Sequence, residues 1–106
     1  MTFDEYQKKA ASFAEYGGGW EYPVCGLAEE AGEVCGKFAK MIRDDGGILT
    51  PNKRMEIRKE LGDVLWMTAE IARFLGYSLS YIALQNIAKL EDRKDRGVLC
   101  GDGDNR

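Results

Sequence analysis

Leu27-Ala28-Glu29-Glu30-Ala31-Gly32-Glu33-Val34 and Lys59-Glu60-Leu61-Gly62-Asp63-Val64-Leu65-Trp66 are the two stretches around which this chain is organised. Each sets acids three residues apart inside an apolar pattern of helical period. Glu30 and Glu33 therefore share one helix face and Glu60 and Asp63 another, about 5–6 Å apart at Cβ. Carboxylates seldom stand among Leu and Val without a partner. The neighbouring basic residues are too few and too peripheral to neutralise four or five acids in one place, whereas a divalent cation does so.

Outward from the first stretch, a helix is predicted from Pro23 to about Arg43. Its apolar stripe is Val24, Leu27, Ala28, Ala31, Val34, Cys35, Phe38 and Ile42, with Glu30 at the edge, Glu33 further round and Lys37 between them in angle. Ala28, Gly32 and Gly36 form a row of small residues beside that stripe. Glycine weakens a helix interior by about 0.5–1 kcal/mol, so the row is expected to mark the close approach of another helix. Asp44-Asp45-Gly46-Gly47 stops the helix. Thr50-Pro51 then starts a third one, running to Leu75, with a core stripe of Ile57, Leu61, Val64, Leu65, Thr68, Ile71, Ala72 and Leu75. Glu60 falls within the margin of that stripe and Asp63 just outside it, repeating the placement of the first pair. Trp66 projects to the opposite side and is expected to meet another subunit.

The flanks complete an all-α chain. Thr2-Phe3-Asp4-Glu5 is a capping box opening a first helix, which the run Gly17-Gly18-Gly19 is expected to end near Tyr16. Trp20 and Tyr22 staple the following connection to the core, with stacking on a base as the alternative role. Gly76 ends the third helix and Ser78 caps a fourth, reaching about Arg96, on which Asn86 lies among apolar positions with Lys89 and Arg93 close by. The tail 97–106 is too glycine-rich for a helix and is expected to be mobile or folded as a loop. The whole, residues 1–106, is one domain: four helices, the long ones antiparallel, packing as an oligomeric bundle.

With 106 residues there is a core but little surplus, which favours burial between subunits. A net charge of −3 gives no general attraction to nucleic acid or to an acidic membrane. Cys25, Cys35 and Cys100 read as reduced thiols, since the first two lie about 15 Å apart along one helix. The start of the chain lacks a signal pattern, and no apolar run approaches the length of a membrane span. A cytoplasmic protein is expected.

Facing helices that present two acid pairs favour a hard cation, Mg²⁺ or Mn²⁺. Di-iron bundles use Glu-x-x-His, and this chain has no histidine. Mg²⁺ commonly completes its shell with substrate phosphates, which makes Lys89 and Arg93 natural phosphate partners. Asn86 then suits a sugar or base. These residues resemble a known pattern. Glu29-Glu30-x-x-Glu33, a gap, then Glu60-x-x-Asp63, with Asn86-x-x-Lys89-Leu90-x-x-Arg93 and the Gly101-Asp102-Gly103-Asp104 tail, is similar to the signature of the MazG-like all-α nucleoside triphosphate pyrophosphohydrolases.

The resemblance implies Mg²⁺ ligands at Glu30, Glu33, Glu60 and Asp63, with Glu29 as a helper that positions or deprotonates water. Asn86, Lys89, Arg93 and Lys37 are the phosphate or substrate candidates, and Phe13, Trp20 and Trp66 the candidates for base contact. The implied reaction is hydrolysis of a nucleoside triphosphate, a deoxynucleotide or a non-canonical one, to monophosphate and pyrophosphate by a homodimer or a dimer of dimers. The competing expectation is a non-catalytic helical dimerisation or regulatory module whose acids pair with a partner's basic residues.

Overall fold

Three side-chain caps decide where helices begin in the computed structural model, which describes residues 1–106. Thr2 Oγ1 accepts from Glu5 N (3.1 Å) while Glu5 Oε2 accepts from Thr2 N (2.9 Å), opening α1, Phe3–Ala11. Thr50 Oγ1 accepts from Lys53 N at the start of α3, Pro51–Phe74, with Pro51 in its first turn. Ser78 Oγ accepts from Tyr81 N at the start of α4, Leu79–Asp95. Between α1 and α3 runs α2, Glu21–Asp44, whose first residue has no side-chain cap before it. The chain is all-helical, as expected, with no strand.

Helix α1 is shorter than its apolar period implies. Ser12 Oγ donates to Lys9 O (2.6 Å) and closes the last turn at Ala11, so the glycine run is not what ends the helix. Phe13 to Trp20 form a loop instead. At the end of α3 the expected signal does act: Gly76 takes φ +79°, and Tyr77 N donates back to Ala72 O (2.9 Å), satisfying a carbonyl the helix leaves open.

Helices α2 and α3 form the central hairpin. Gly26 meets Met67, Glu30 meets Asp63 and Glu60, and Lys37 meets Glu60, so numbers rise along one helix as they fall along the other. A Cβ added at Gly26 would sit 2.5 Å from Met67 Sδ, which makes Gly26 the close-approach glycine. The row expected to do this, Gly32 and Gly36, faces open space within the chain. The cores differ from the predicted stripes in the same way. Met67 and Ala69 are buried beside the expected Ile57 and Ala72, whereas the expected Leu61 and Leu75 are exposed. The reason is that α1 covers a second side of α3, and a single stripe cannot register two neighbours.

Helix α1 also holds α4. Gln7 Oε1 accepts from Leu79 N (3.0 Å), Asp4 Oδ1 accepts from Ser80 N (3.0 Å), and Gln7 Nε2 donates to Tyr77 O (3.0 Å) and Ala69 O (3.3 Å). Together with Ser78, these side chains satisfy the first three free N–H groups of α4. Helix α4 packs on α1 and α3 and does not reach α2. The tail is folded against α4: Asp104 binds Lys89 and Arg93, and the Arg106 guanidinium donates to the Val98, Leu99 and Gly103 carbonyls.

The chain alone is open. Its radius of gyration is 16.6 Å, against about 13 Å for a compact domain of this length, and ten of 106 residues are buried. Phe38, Ile42, Leu61 and Leu84 stand 42 to 68% exposed. Gly26→Ala should lower stability by about 1–3 kcal/mol through overpacking against Met67. Gly32→Ala should raise it by about 0.5–1 kcal/mol; denaturant unfolding of the two variants checks both signs.

Candidate functional site

The acids of the hairpin meet in part. Glu30 on α2 and Glu60 and Asp63 on α3 each offer a carboxylate oxygen, all within 4.8 Å of one another, and each residue is half-buried. The antiparallel register set at Gly26 and Met67 places them opposite one another. Glu33 lies one turn further along α2 and is exposed, outside this set of three, as is Glu29. Both still act on the cluster. The Glu30 carboxyl is pushed above its ordinary range, first by burial, then by the charges of Asp63, Glu29, Glu60 and Glu33.

One cation answers this charge. Lys37 Nζ stands 3.8 Å from Glu60 Oε1, a loose pair for several carboxylates. The donor set, three hard oxygens with no nitrogen or sulfur, fits Mg²⁺ or Mn²⁺. Around Mg²⁺ at about 2.1 Å, ligand oxygens stand about 3 to 4 Å apart, within a small side-chain rotation of what is found.

Beside Asp63 lies a cavity of about 380 Å³, lined chiefly by Tyr6, Lys9, Phe13, Gly62, Asp63 and Trp66. A carboxylate of the acid cluster is thus part of an aromatic wall, in a volume typical of small-molecule sites. Lys9 Nζ sits over the Phe13 ring, 5.5 Å from its centroid. A second cavity of about 260 Å³ adjoins, where Phe13 and Trp66 meet Tyr16 and Tyr22, whose rings stack at 5.2 Å. Of the aromatic candidates, Phe13 and Trp66 therefore line the cavity next to the acids. Trp20 is half exposed and lines neither cavity. The expectation for Trp66 is corrected: the indole turns to α1 of its own chain, because α1 fills the side of α3 that the helical projection left open.

Helix α4 carries its polar residues elsewhere. Asn86 is exposed rather than inward, in a groove with Tyr77, Tyr81, Gln85 and Lys89. Lys89 Nζ donates to Asp104 Oδ1 (3.0 Å), and buried Arg93 donates to the same oxygen (3.0 Å) and to the Asp104 carbonyl. Within one chain these three residues do not converge with the acids of α2 and α3.

Reading the sequence missed Glu70 and Tyr6. Glu70 is 1% exposed, the most buried charged side chain in the molecule, two turns beyond Asp63. Its one signal was a charge inside the apolar run Met67-Thr68-Ala69-Glu70-Ile71-Ala72. Glu70 Oε2 accepts from Arg73 Nε (2.7 Å), and Arg73 in turn reaches the Tyr16 hydroxyl (3.4 Å). The Tyr6 hydroxyl titrates above its usual range because of burial, with Asp63 and Glu70 adding to the effect.

Residues 23–98 match the MazG nucleotide pyrophosphohydrolase domain, a span holding both acid motifs and all of α4. Gene 37 protein of Mycobacterium phage L5 is 42% identical over 114 aligned positions covering the whole of both chains, so α1 and the tail lie within the matched length. No solved structure matches the chain.

The raised pKa of Glu30 carries a sign. In the metal-free protein its charge is penalised on folding, fully at pH above the folded-state value and not at all below the ordinary Glu range. Glu30→Gln should therefore raise the metal-free melting temperature at neutral pH. That gain should begin to shrink as the pH falls through the raised value and vanish below the ordinary Glu range, as read by thermal unfolding at a series of pH values.

Proposed function

The chain belongs to the MazG nucleotide pyrophosphohydrolase family, and from that premise we propose that it is a Mg²⁺-dependent hydrolase converting a nucleoside triphosphate, a deoxynucleotide or a non-canonical one, to its monophosphate and pyrophosphate. The observation that carries this reading is the meeting of Glu30, Glu60 and Asp63, the last of which also lines an aromatic cavity. Glu30, Glu60 and Asp63 hold the cation, and Glu33, one turn along α2, joins them by rotation of its exposed side chain. When bound, Mg²⁺ lowers the pKa of a water and offsets the charge of the phosphates. Phe13 and Trp66 take the base, with Trp20 at the periphery.

Glu29, exposed beside the cluster, orients the attacking water or takes its proton. Oxygen attacks the α-phosphorus, the bond to the bridging oxygen of the β-phosphate breaks, and pyrophosphate leaves with that oxygen. The absence of histidine leaves carboxylates as the proton acceptors. Lys37, already beside Glu60, can turn to a phosphate as the cation arrives.

A second copy of the chain completes the site in this reading. The exposed apolar side chains of α2 and α3, among them Phe38, Ile42 and Leu61, need cover. Asn86, Lys89 and Arg93 reach the phosphates of the partner's site once Asp104 yields its place. No helix is long and apolar enough to cross a membrane, and the cytoplasm is the proposed location.

Asp63→Asn and Glu33→Gln should each reduce pyrophosphate release at least a hundredfold, about 3 kcal/mol of lost transition-state stabilisation, while circular dichroism stays helical. Full activity in both variants would refute the assignment of these acids as the metal site. Wild-type protein should also gain thermal stability with millimolar Mg²⁺. No gain, together with no release from any nucleotide, would favour the non-catalytic interaction module.

A further inference from the structure

Two polar atoms in the chain are buried without a hydrogen-bond partner: Trp66 Nε1, a donor, and Glu70 Oε1, an acceptor. They sit on residues four apart in α3, one turn from each other on the same face, where side chains are neighbours about 5–6 Å apart at Cβ. A buried N–H left unmade costs about 1–3 kcal/mol, and a buried carboxylate oxygen more. The pair is complementary, and one water joining them satisfies both. The other carboxylate oxygen is already committed, at 2.7 Å, to Arg73 Nε, and the Tyr16 hydroxyl lies against both Arg73 and the Glu70 carboxylate.

We propose that Glu70 is the positioning residue of the substrate cavity, accepting the Trp66 indole N–H through one buried water. This inference rests on the reading of that cavity as the place where the base of the nucleotide binds. Its two oxygens then reach two different walls. Oε1 fixes the plane of the Trp66 indole, which lines the cavity beside Asp63, and Oε2 fixes, through Arg73, the loop that carries Tyr16. A carboxylate at this depth among Ala69, Ala72 and Met67 contributes little to stability that an apolar residue would not. It contributes orientation, which an apolar residue cannot. Glu70 touches no substrate, so its effect falls on binding and selectivity rather than on the chemical step.

The indole N–H of Trp66 reports on the link directly, without a nucleotide. In a ¹H–¹⁵N spectrum of the full chain, the Trp66 indole peak is the one lost in Trp66→Phe. Glu70→Met, which keeps the length of the side chain and removes both oxygens, should shift that peak and speed its exchange with D₂O about fivefold, the effect of one ordinary hydrogen bond. With substrate and Mg²⁺, Glu70→Met and Trp66→Phe should each raise KM about fivefold with kcat within about twofold, and the double variant should be no worse than either alone.

An unmoved peak, or KM effects that multiply, would overturn the proposal. So would a wild-type Trp66 N–H that exchanges as fast as that of exposed Trp20, a reading that needs no variant to fold. A shifted, protected peak in a protein that releases no pyrophosphate would instead overturn the proposed activity and leave the link standing.

Discussion

The close approach of α2 and α3 where Gly26 lies against Met67 governs the rest of the structure. A side chain at Gly26 would collide with the Met67 sulfur, so the Met67 side chain packs where a Cβ would otherwise stand. From that point the antiparallel register follows, and one turn further along α2 it brings Glu30 level with Asp63. A rotation or slide of either helix would separate the acids, since neighbouring positions on a helix face different directions. The electrostatic cost gathered at Glu30 is therefore imposed by packing at some distance along the hairpin.

Those acids were legible in the sequence because a charge repeated at three-residue spacing inside an apolar period is an anomaly at the level of local pattern. The caps at Thr2, Thr50 and Ser78 were legible for the same reason, each being a local hydrogen bond between near neighbours. The early end of α1 was not, since Ser12 ends the helix five residues before the glycine run that looked like its stop. The surroundings of Trp66, Met67 and Glu70 were not legible either. A projection assigns each helix one buried face, and α3 has two, because α1 crosses it. Asn86 shows the converse case: apolar neighbours along α4 implied burial, yet α4 touches so little of the chain that its face stays open.

That openness belongs to the whole molecule. A chain with ten buried residues and a radius of gyration of 16.6 Å keeps much of its apolar surface in contact with water. Its side chains alternate between packing on the hairpin and facing outward, so the apolar stripe of α2 is real but only partly used within one copy. Residues such as Phe38 and Ile42 obey the helical period as faithfully as Leu27 and Val34 do, and what separates the two sets is which neighbour is present.

The capping of α4 by Asp4 and Gln7 has a consequence for the cavity. A helix of nine residues has little stability of its own, and α1 persists because of what it grips. Its grip on Leu79 and Ser80 ties segments of the chain that are more than seventy residues apart, and through Gln7 it also holds the Ala69 carbonyl of α3. The molecule therefore combines a long central hairpin with a lighter clasp held by a few side-chain hydrogen bonds. One wall of the aromatic cavity is the inner face of that clasp, so the width of the cavity is set by a segment that carries none of the clustered acids.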